Sequence, residues 1–362
     1  MGPITSCYLA HAAQAEIRNA GASGGVVSAF AMYLLDGGVV DAVIAAKMSE
    51  GAPVRPALVL ARTADEVLAC AQSKYLPIPV NDALRVVIEE PARYAVIGLP
   101  CQVRGIRKAA LENPRISDRI KLCIGLFCGF RVSFNATRFW LRKLRVSEGA
   151  VASLEFRARS SADWDRGGGG FLVRTHKGEE YYIPKSLFSL TDSLFVSRRC
   201  TLCEDLTNEY ADLSVGDPGP LGVKESLVLC RTPEAEALLL DARNRGFIVL
   251  RAVTKDLATW AHLGNVSYKK NSVAARFRVH KALGFAVPQS QVAAGRASAA
   301  SYLGALLLLL NSVVCARPEA PALLARIPIK IIEKYSWLVT LLLMHDTKTL
   351  MRKAIRRLSR AR

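Results

Sequence analysis

The sequence predicts an α/β to α+β fold, with a mixed sheet, flanking helices and a C-terminal helical appendage. Three observations predict it. In the first half, short apolar runs alternate with helical stretches, as in βα units. In the middle, strand-like runs gather around glycine-rich turns. After Pro288, two strongly apolar helical stretches run into a basic end.

The elements follow in order. "ASGGVVSAFAMYLLDGG" reads as a helix opened by small residues and closed by Gly37 and Gly38. No clear strand precedes it. "VVDAVIAA" has the apolar run of a buried strand, and "ALVLA" reads as another. Thr63 caps "ADEVLACA", with Asp65 and Glu66 in the first turn, where the helix dipole favours them. "YAVIG" and "IKLCIGLFC" read as central strands, each followed by a helix ("QVRGIRKAAL", "FNATRFWLRKL"). "SLEFRARS" and "GGGGFLVRTHKGEEYYIP" read as strands around a glycine-rich bend and a Lys177-Gly178 turn. "ADLSVGD" and "ESLVLCR" add further strands, and Thr232-Pro233 opens a helix that Gly246 closes.

Composition bounds the function. A chain of 362 residues is long enough for one large domain or two. A formal charge of +18 favours anionic partners. From Asp346 onward there are seven Lys or Arg residues against one acid, so part of this charge belongs to a tail. Nine cysteines are too sparse for a disulfide scaffold. No signal peptide is visible, and "MGPITS" fits a myristoylation pattern only superficially. A reducing, cytoplasmic setting is expected, where Cys-x-x-Cys reads as metal-binding or redox-active.

Four thiols stand out by context. Cys200 and Cys203 form a close pair in "RRCTLCEDL". Cys101 in "GLPCQ" and Cys128 in "GLFCG" lie where apolar strands break into small or rigid residues. A strand end of that kind lets a thiolate reach a metal without burying its charge unpaired. Four thiolates suit an iron–sulfur cluster or zinc, and one pair plus two distant singletons leans towards a cluster. Unrelated thiols remain an open reading. Cys7, Cys70, Cys123, Cys230 and Cys315 read as small buried hydrophobes.

"NAGASGGVVSAF" places small residues at a helix start, where backbone amides and the helix dipole suit phosphate. Ser23 adds a hydroxyl. The loop lacks the Gly-x-Gly-x-x-Gly order of a dinucleotide fingerprint. Without further context, an ordinary glycine-rich N-cap with close helix packing is the favoured reading.

Together "GASGGVVSAFAMYLLDGGVVDAVI", "QSKY", "GLPCQVRGIRK", "IGLFCGF" and "CTLCEDLTNEYADLSVGD" resemble the beta-subunit family of coenzyme F420-reducing hydrogenases and dehydrogenases, from about Ala15 to Gln289. The resemblance implies FAD and a 4Fe-4S cluster in one subunit, with coenzyme F420 as a candidate substrate. It implies Cys101, Cys128, Cys200 and Cys203 as cluster ligands. Gly21, Ser23, Gly24 and Gly25 become the FAD phosphate loop, with Lys74, Tyr75, Pro100 and Gln102 beside the flavin. Asp205, Asp212 and Asp217 match the pattern as turn-formers and acceptors. No catalytic residue is assigned, and His176, His262 and His280 read as surface or turn residues.

The implied function is an oxidoreductase passing electrons between the cluster and FAD, to reduce or oxidise a small substrate or deazaflavin. Many relatives carry ferredoxin-like segments. Here the N-terminus offers only Cys7, so a ferredoxin-like carrier or partner subunit is expected. The expected organisation is an oxidoreductase domain over 1–290 and a hydrophobic, basic helical tail over 291–362. That tail reads as helices packed on the main domain, as an amphipathic anchor on an anionic membrane surface, or as a spanning helix. The anchor would place the chain peripherally on the inner face of the membrane. No recognised nucleic-acid module is present. The competing reading is a non-catalytic, membrane-associated partner that retains the fold.

Overall fold

The computed structural model describes residues 1–49, 51–158, 169–222, 224–289 and 297–346. Its strands are β1 (Ser6–Ala12), β2 (Ala42–Met48), β3 (Pro56–Ala61), β4 (Tyr94–Gly98), β5 (Ile120–Leu126), β6 (Val151–Ala158), β7 (Gly170–Thr175), β8 (Glu180–Pro184), β9 (Leu213–Gly216), β10 (Ser226–Cys230) and β11 (Ile248–Ala252). Among the described residues, eight of them form one sheet in the order β11-β1-β10-β9-β5-β4-β2-β3. Its centre is parallel: β2 pairs with β4, β4 with β5, and β5 with β9. Antiparallel neighbours extend both sides, β3 on β2, then β10, β1 and β11 beyond β9. The expected mixed sheet with flanking helices is therefore present. β6, β7 and β8 form a separate antiparallel sheet.

The large sheet is apolar on both faces because successive side chains of a strand point oppositely. On β4, Ala95 joins one core while Tyr94 and Val96 join the other. On β5, Leu122 and Ile124 face the first core and Cys123 the second. The helix Val26–Asp36 buries Phe30, Ala31, Tyr33 and Leu34 in the first core, and Ala235, Leu239 and Ala242 of the helix Pro233–Asn244 join it. Tyr33 Oη donates to Asp241 at 2.7 Å, tying these two helices. Truncating Phe30, which is fully buried, would cost about 3–5 kcal/mol. The helix Pro100–Glu112 covers the opposite face through Val103 and Ile106.

One expectation is corrected here. A strand, β1, does precede the glycine loop, with the helix Ala15–Ala20 between them. Ser6, Tyr8 and His11 interrupt its apolar run and hide it from local pattern. Its pairing partners, β10 and β11, lie more than two hundred residues downstream.

The chain divides into two compact units: 1–128, 151–185 and 206–261 form the first, and 129–150, 186–205 and 262–362 the second. Both sheets lie in the first. In the second, the helix Ala299–Val314 packs on Ile329–Leu343, and a Cβ at Gly304 would come within 3.0 Å of the Leu343 amide. Asn135 Nδ2 donates to the carbonyls of Cys315 at 2.9 Å and Arg317 at 3.0 Å. Lys143 Nζ donates to the Ile327 carbonyl at 2.6 Å. The C-terminal apolar helices thus bury their inward faces within this unit. The boundary expected at 290/291 and the terminal basic residues lie outside the described residues. None of the described helices is long and apolar enough to cross a membrane.

Candidate functional site

The glycine loop follows β1 and opens the helix Val26–Asp36. Its glycines are demanded by backbone closeness. A Cβ at Gly24 would lie 2.6 Å from the Ala10 carbonyl, and one at Gly21 would lie 2.6 Å from Gly25 Cα. Gly25 has φ +72°, a left-handed conformation that disfavours side chains, and its Cβ would meet the Ile17 carbonyl at 2.6 Å. Ser226 on β10 holds the loop from below: its Oγ lies 2.9 Å from Ser23 Oγ and accepts from the Gly24 amide at 3.2 Å.

Arg157 of β6, only 4% exposed, reaches the same loop. Its Nη2 donates to the Ala22 carbonyl at 3.0 Å, and its Nη1 donates to Asp217 at 3.0 Å and the Tyr75 hydroxyl at 3.4 Å. Lys185 approaches Asp217 from another side at 3.4 Å. Burial opposes a charge on Asp217, but Arg157 and Lys185 outweigh it and hold the carboxyl below its ordinary value. Arg157 Nε is buried and meets no hydrogen-bond partner among the described residues. The structure therefore joins Tyr75, the glycine loop and Asp217 through one buried guanidinium. A cation with an orphaned donor at a glycine-lined loop suits an anionic cofactor group such as a pyrophosphate.

Lys74 is spent differently. Its ammonium donates to the carbonyls of Cys70 and Ala71 at 2.6 Å and Gln72 at 3.1 Å, just beyond the helix Ala64–Ala69. Burial pulls it down to about 8. Pro100 is the buried first residue of its helix. Gln102 acts as a clamp, accepting from the Leu99 amide at 2.8 Å and donating to the Ile78 carbonyl at 2.7 Å.

Cys101 is exposed in the first turn of that helix, whose positive end favours negative charge. Cys128 lies two residues beyond β5, its amide donating to the Leu206 carbonyl at 2.8 Å. Asn208 braces both strand ends. Its Nδ2 donates to the Gly98 carbonyl at 2.8 Å, and any Cβ on Gly125 would strike its side chain at 2.5 Å. Asp212 accepts from the Cys123 amide and from Arg107, both at 2.7 Å.

Cys200 and Cys203 belong to the second unit. The Cys203 amide donates to the Cys200 carbonyl at 3.2 Å, closing a tight turn at the end of the helix Arg198–Thr201. Burial raises the Cys200 thiol, opposed by an N–H from the Arg131 backbone and by the charge of Lys269. Arg276, 1% exposed, donates to the carbonyls of Thr201 at 2.6 Å and Cys203 at 3.0 Å, which fixes the turn. The sequence context read His280 as a surface or turn residue, and the structure instead places it inside the helix Val273–Ala282. It is buried, with Nε2 2.9 Å from Thr201 Oγ1 and Nδ1 2.8 Å from the Arg276 carbonyl. His262 is buried too, whereas His176 is exposed in a turn.

The four context-marked thiols thus fall two and two: Cys101 and Cys128 in the first unit, Cys200 and Cys203 in the second. Among the described residues, no group of three or more His, Cys, Asp or Glu side chains stands close enough to hold a metal ion. At Cys200 burial outweighs the Arg131 backbone N–H and the charge of Lys269, so this turn does not by itself favour a thiolate.

Sequence reasoning missed Arg157, Lys185, Asn208, Lys269 and Arg276. Arg157 had one weak signal, a cation set between Phe156 and Ala158 in a strand-like run.

Comparison with known proteins now adds to this geometry. Two family models, for the N-terminal and the C-terminal parts of the coenzyme F420 hydrogenase/dehydrogenase beta subunit, match residues 7–85 and 92–256 respectively. The coenzyme F420 hydrogenase subunit beta of Methanothermobacter thermautotrophicus is 26% identical over 297 residues, covering 80% of this chain and 99% of that protein. The subunit of the same name from Methanococcus voltae is 31% identical over 245 residues, covering 66% of this chain and 81% of that protein. A chain of the F420-reducing [NiFe] hydrogenase complex from Methanosarcina barkeri has a similar fold, with a TM-score of 0.62 and 21% identity over 80% of this chain and 97% of that one. The two matched segments hold the glycine loop, Tyr75, Arg157, Asp217 and all four context-marked cysteines. The chain belongs to the coenzyme F420 hydrogenase/dehydrogenase beta-subunit family.

Proposed function

We propose that this chain is an oxidoreductase subunit that holds FAD at the glycine loop and a 4Fe-4S cluster on Cys101, Cys128, Cys200 and Cys203. The observation that carries the reading is the Arg157 junction, where one buried guanidinium links the Ala22 carbonyl, Tyr75 and Asp217. When bound, the cluster passes single electrons and the flavin exchanges them for hydride with a small substrate or a deazaflavin such as coenzyme F420. The protein's part is to bind and orient. Arg157 fixes the loop and supplies positive charge for a phosphate, while Asp217 keeps that guanidinium aimed. Tyr75 lies edge-on to Phe156 at 5.9 Å, which gives the site an aromatic wall.

In this reading a ferredoxin-like carrier or a partner subunit exchanges electrons with the cluster. The test uses full-length protein purified anaerobically, a one-electron viologen donor and an 8-hydroxy-5-deazaflavin acceptor. Protein-dependent bleaching of the deazaflavin that Arg157→Ala abolishes is the expected result. Protein that carries both cofactors yet leaves the deazaflavin untouched would contradict F420 as the substrate. Protein that binds neither cofactor would overturn the whole reading.

The second unit adds a location. From His262 to Arg362 there are 17 Lys or Arg against 3 acids, a net +14 of the chain's +18. Trp337, Ile331 and Leu338 are exposed on one C-terminal helix, and Leu303, Leu310 and Val314 on another. Both helices lie beyond the segments that match the family models. Exposed apolar side chains within so basic a segment suit an anionic bilayer surface on the cytoplasmic side. Co-sedimentation with vesicles of phosphatidylglycerol, but not of pure phosphatidylcholine, is expected, and Trp337→Ser should weaken it. Equal recovery in the soluble fraction with both vesicles would exclude the membrane.

A further inference from the structure

The segment from Gln72 to Tyr75 is held more tightly than a connecting loop requires. Gln72 has φ +72°, a left-handed backbone that a side chain disfavours. Lys74 braces it, its ammonium donating to the Gln72 carbonyl at 3.1 Å and to those of Cys70 and Ala71 at 2.6 Å. The segment lies against β6. Gln72 Nε2 donates to Glu155 Oε2 at 3.3 Å, and Arg157 Nη1 donates to the Tyr75 hydroxyl at 3.4 Å. The register of β6 shifts between Glu155 and Ala158, and an irregularity of that kind re-aims the side chain within it, here Arg157. Two polar atoms are left over. Gln72 Oε1, an acceptor, and Arg157 Nε, a donor, are both buried and meet no hydrogen-bond partner among the described residues. Glu155 fixes which end of the Gln72 amide is left over. Turned round, the amide would set Oε1 against a carboxylate oxygen.

A buried acceptor without a donor is costly, and a ligand that brings a donor removes the cost. The pyrophosphate of FAD offers only acceptors. It can satisfy Arg157 Nε and cannot satisfy Gln72 Oε1. The hydroxyls of FAD can, because a ribityl chain lies on one side of its pyrophosphate and a ribose on the other. Resting on the FAD site proposed above, we infer that Gln72 Oε1 accepts from one of these hydroxyls. Gln72 is then a binding residue that separates a sugar- or ribityl-bearing phosphate from a bare one. Its left-handed backbone and the Lys74 brace set the carbonyl oxygen in place before the ligand arrives, so little ordering is needed on binding.

The experiment uses the full chain, purified anaerobically and freed of flavin, as wild type and Gln72→Met. Each is titrated with FAD, FMN and ADP, and its flavin-free thermal midpoint is measured. Methionine keeps the length of the side chain and the same backbone cost, and removes both polar atoms. Gln72→Met should bind FAD about tenfold more weakly, the loss of one hydrogen bond, at a little-changed midpoint. FMN carries the ribityl hydroxyls and ADP the ribose hydroxyls. Weakening of one of them and not the other supports the inference and names the hydroxyl. Equal weakening of all three would show a general loss of the loop, and unchanged FAD affinity would show that Oε1 meets no ligand. Either result overturns the inference, as does a Met variant that cannot fold. Wild-type protein that binds none of the three would overturn the FAD site proposed above, and this inference with it.

Discussion

Arg157 and Asp217 meet across 3.0 Å, one from β6 and the other immediately after β9, and the same guanidinium holds the glycine loop at the Ala22 carbonyl. Arg157→Ala should lower stability by about 2 kcal/mol, the usual loss when a buried charge-assisted hydrogen bond goes. It should also release flavin. Lys at this position keeps the charge but cannot bridge all three partners, so Arg157→Lys should recover stability better than flavin content. Denaturant titration and a flavin count on the same preparations separate the two effects.

Gly25 makes a second prediction. Its φ of +72° and the 2.6 Å approach of a hypothetical Cβ to the Ile17 carbonyl make Gly25→Ala costly by about 1–3 kcal/mol. Gly24 is no better as a probe of phosphate binding, because a side chain there strikes the Ala10 carbonyl. Ser23→Ala is the cleaner test. It leaves the backbone intact and removes only the hydroxyl that faces Ser226. Reduced FAD affinity at unchanged thermal midpoint is expected, and an unaltered affinity would exclude the Ser23 hydroxyl from the cofactor site.

Much of this architecture was legible in sequence. The strands β2, β4 and β5 carry apolar runs, broken only by Lys47 and Lys121, because both sheet faces are covered, and runs of that kind need no partner to be read. Thr63 showed its cap openly, and the structure forms the full box, with Glu66 accepting from the Thr63 amide at 3.2 Å. β1 stayed hidden because its stability comes from β10 and β11, far along the chain. The candidate site was half legible. Glycines and cysteines announce themselves by type and spacing, but Arg157, Lys269 and His280 matter only through burial. No local pattern separates a buried cation from a surface one.

The cysteines differ in what they should do. Cys200→Ser should remove broad visible absorption from anaerobically purified protein, whereas Cys70→Ser should leave it intact. Cys70 lies at the end of the helix Ala64–Ala69, where burial raises its thiol. Equal bleaching by both substitutions would mean that general destabilisation, and not ligation, governs the chromophore.

Asp346 gives a pH prediction for the second unit. Its carboxylate accepts from Ser301 Oγ at 2.6 Å and from the Ser298 amide at 3.2 Å, at the start of the helix Ala299–Val314. Burial opposes its charge, but these donors and His345 overcome the penalty and lower it to about 2. A depressed carboxyl contributes stability that is complete above its ordinary value of 3.8 and is lost as pH falls through about 2. Asp346→Asn should therefore be less stable than wild type at neutral pH. The gap should close as the pH drops from about 4 to about 2. A gap that stays constant across that range would show that the carboxylate charge is not what matters.

The central claim is that one chain carries both a flavin and an iron–sulfur cluster, and a cofactor count tests it most directly. Full-length protein made under iron-replete conditions and purified without oxygen should contain about four irons and one FAD per chain. Its visible spectrum should bleach on adding dithionite and return with a mild oxidant. Stoichiometric zinc, no iron and no flavin in well-folded protein would contradict the account.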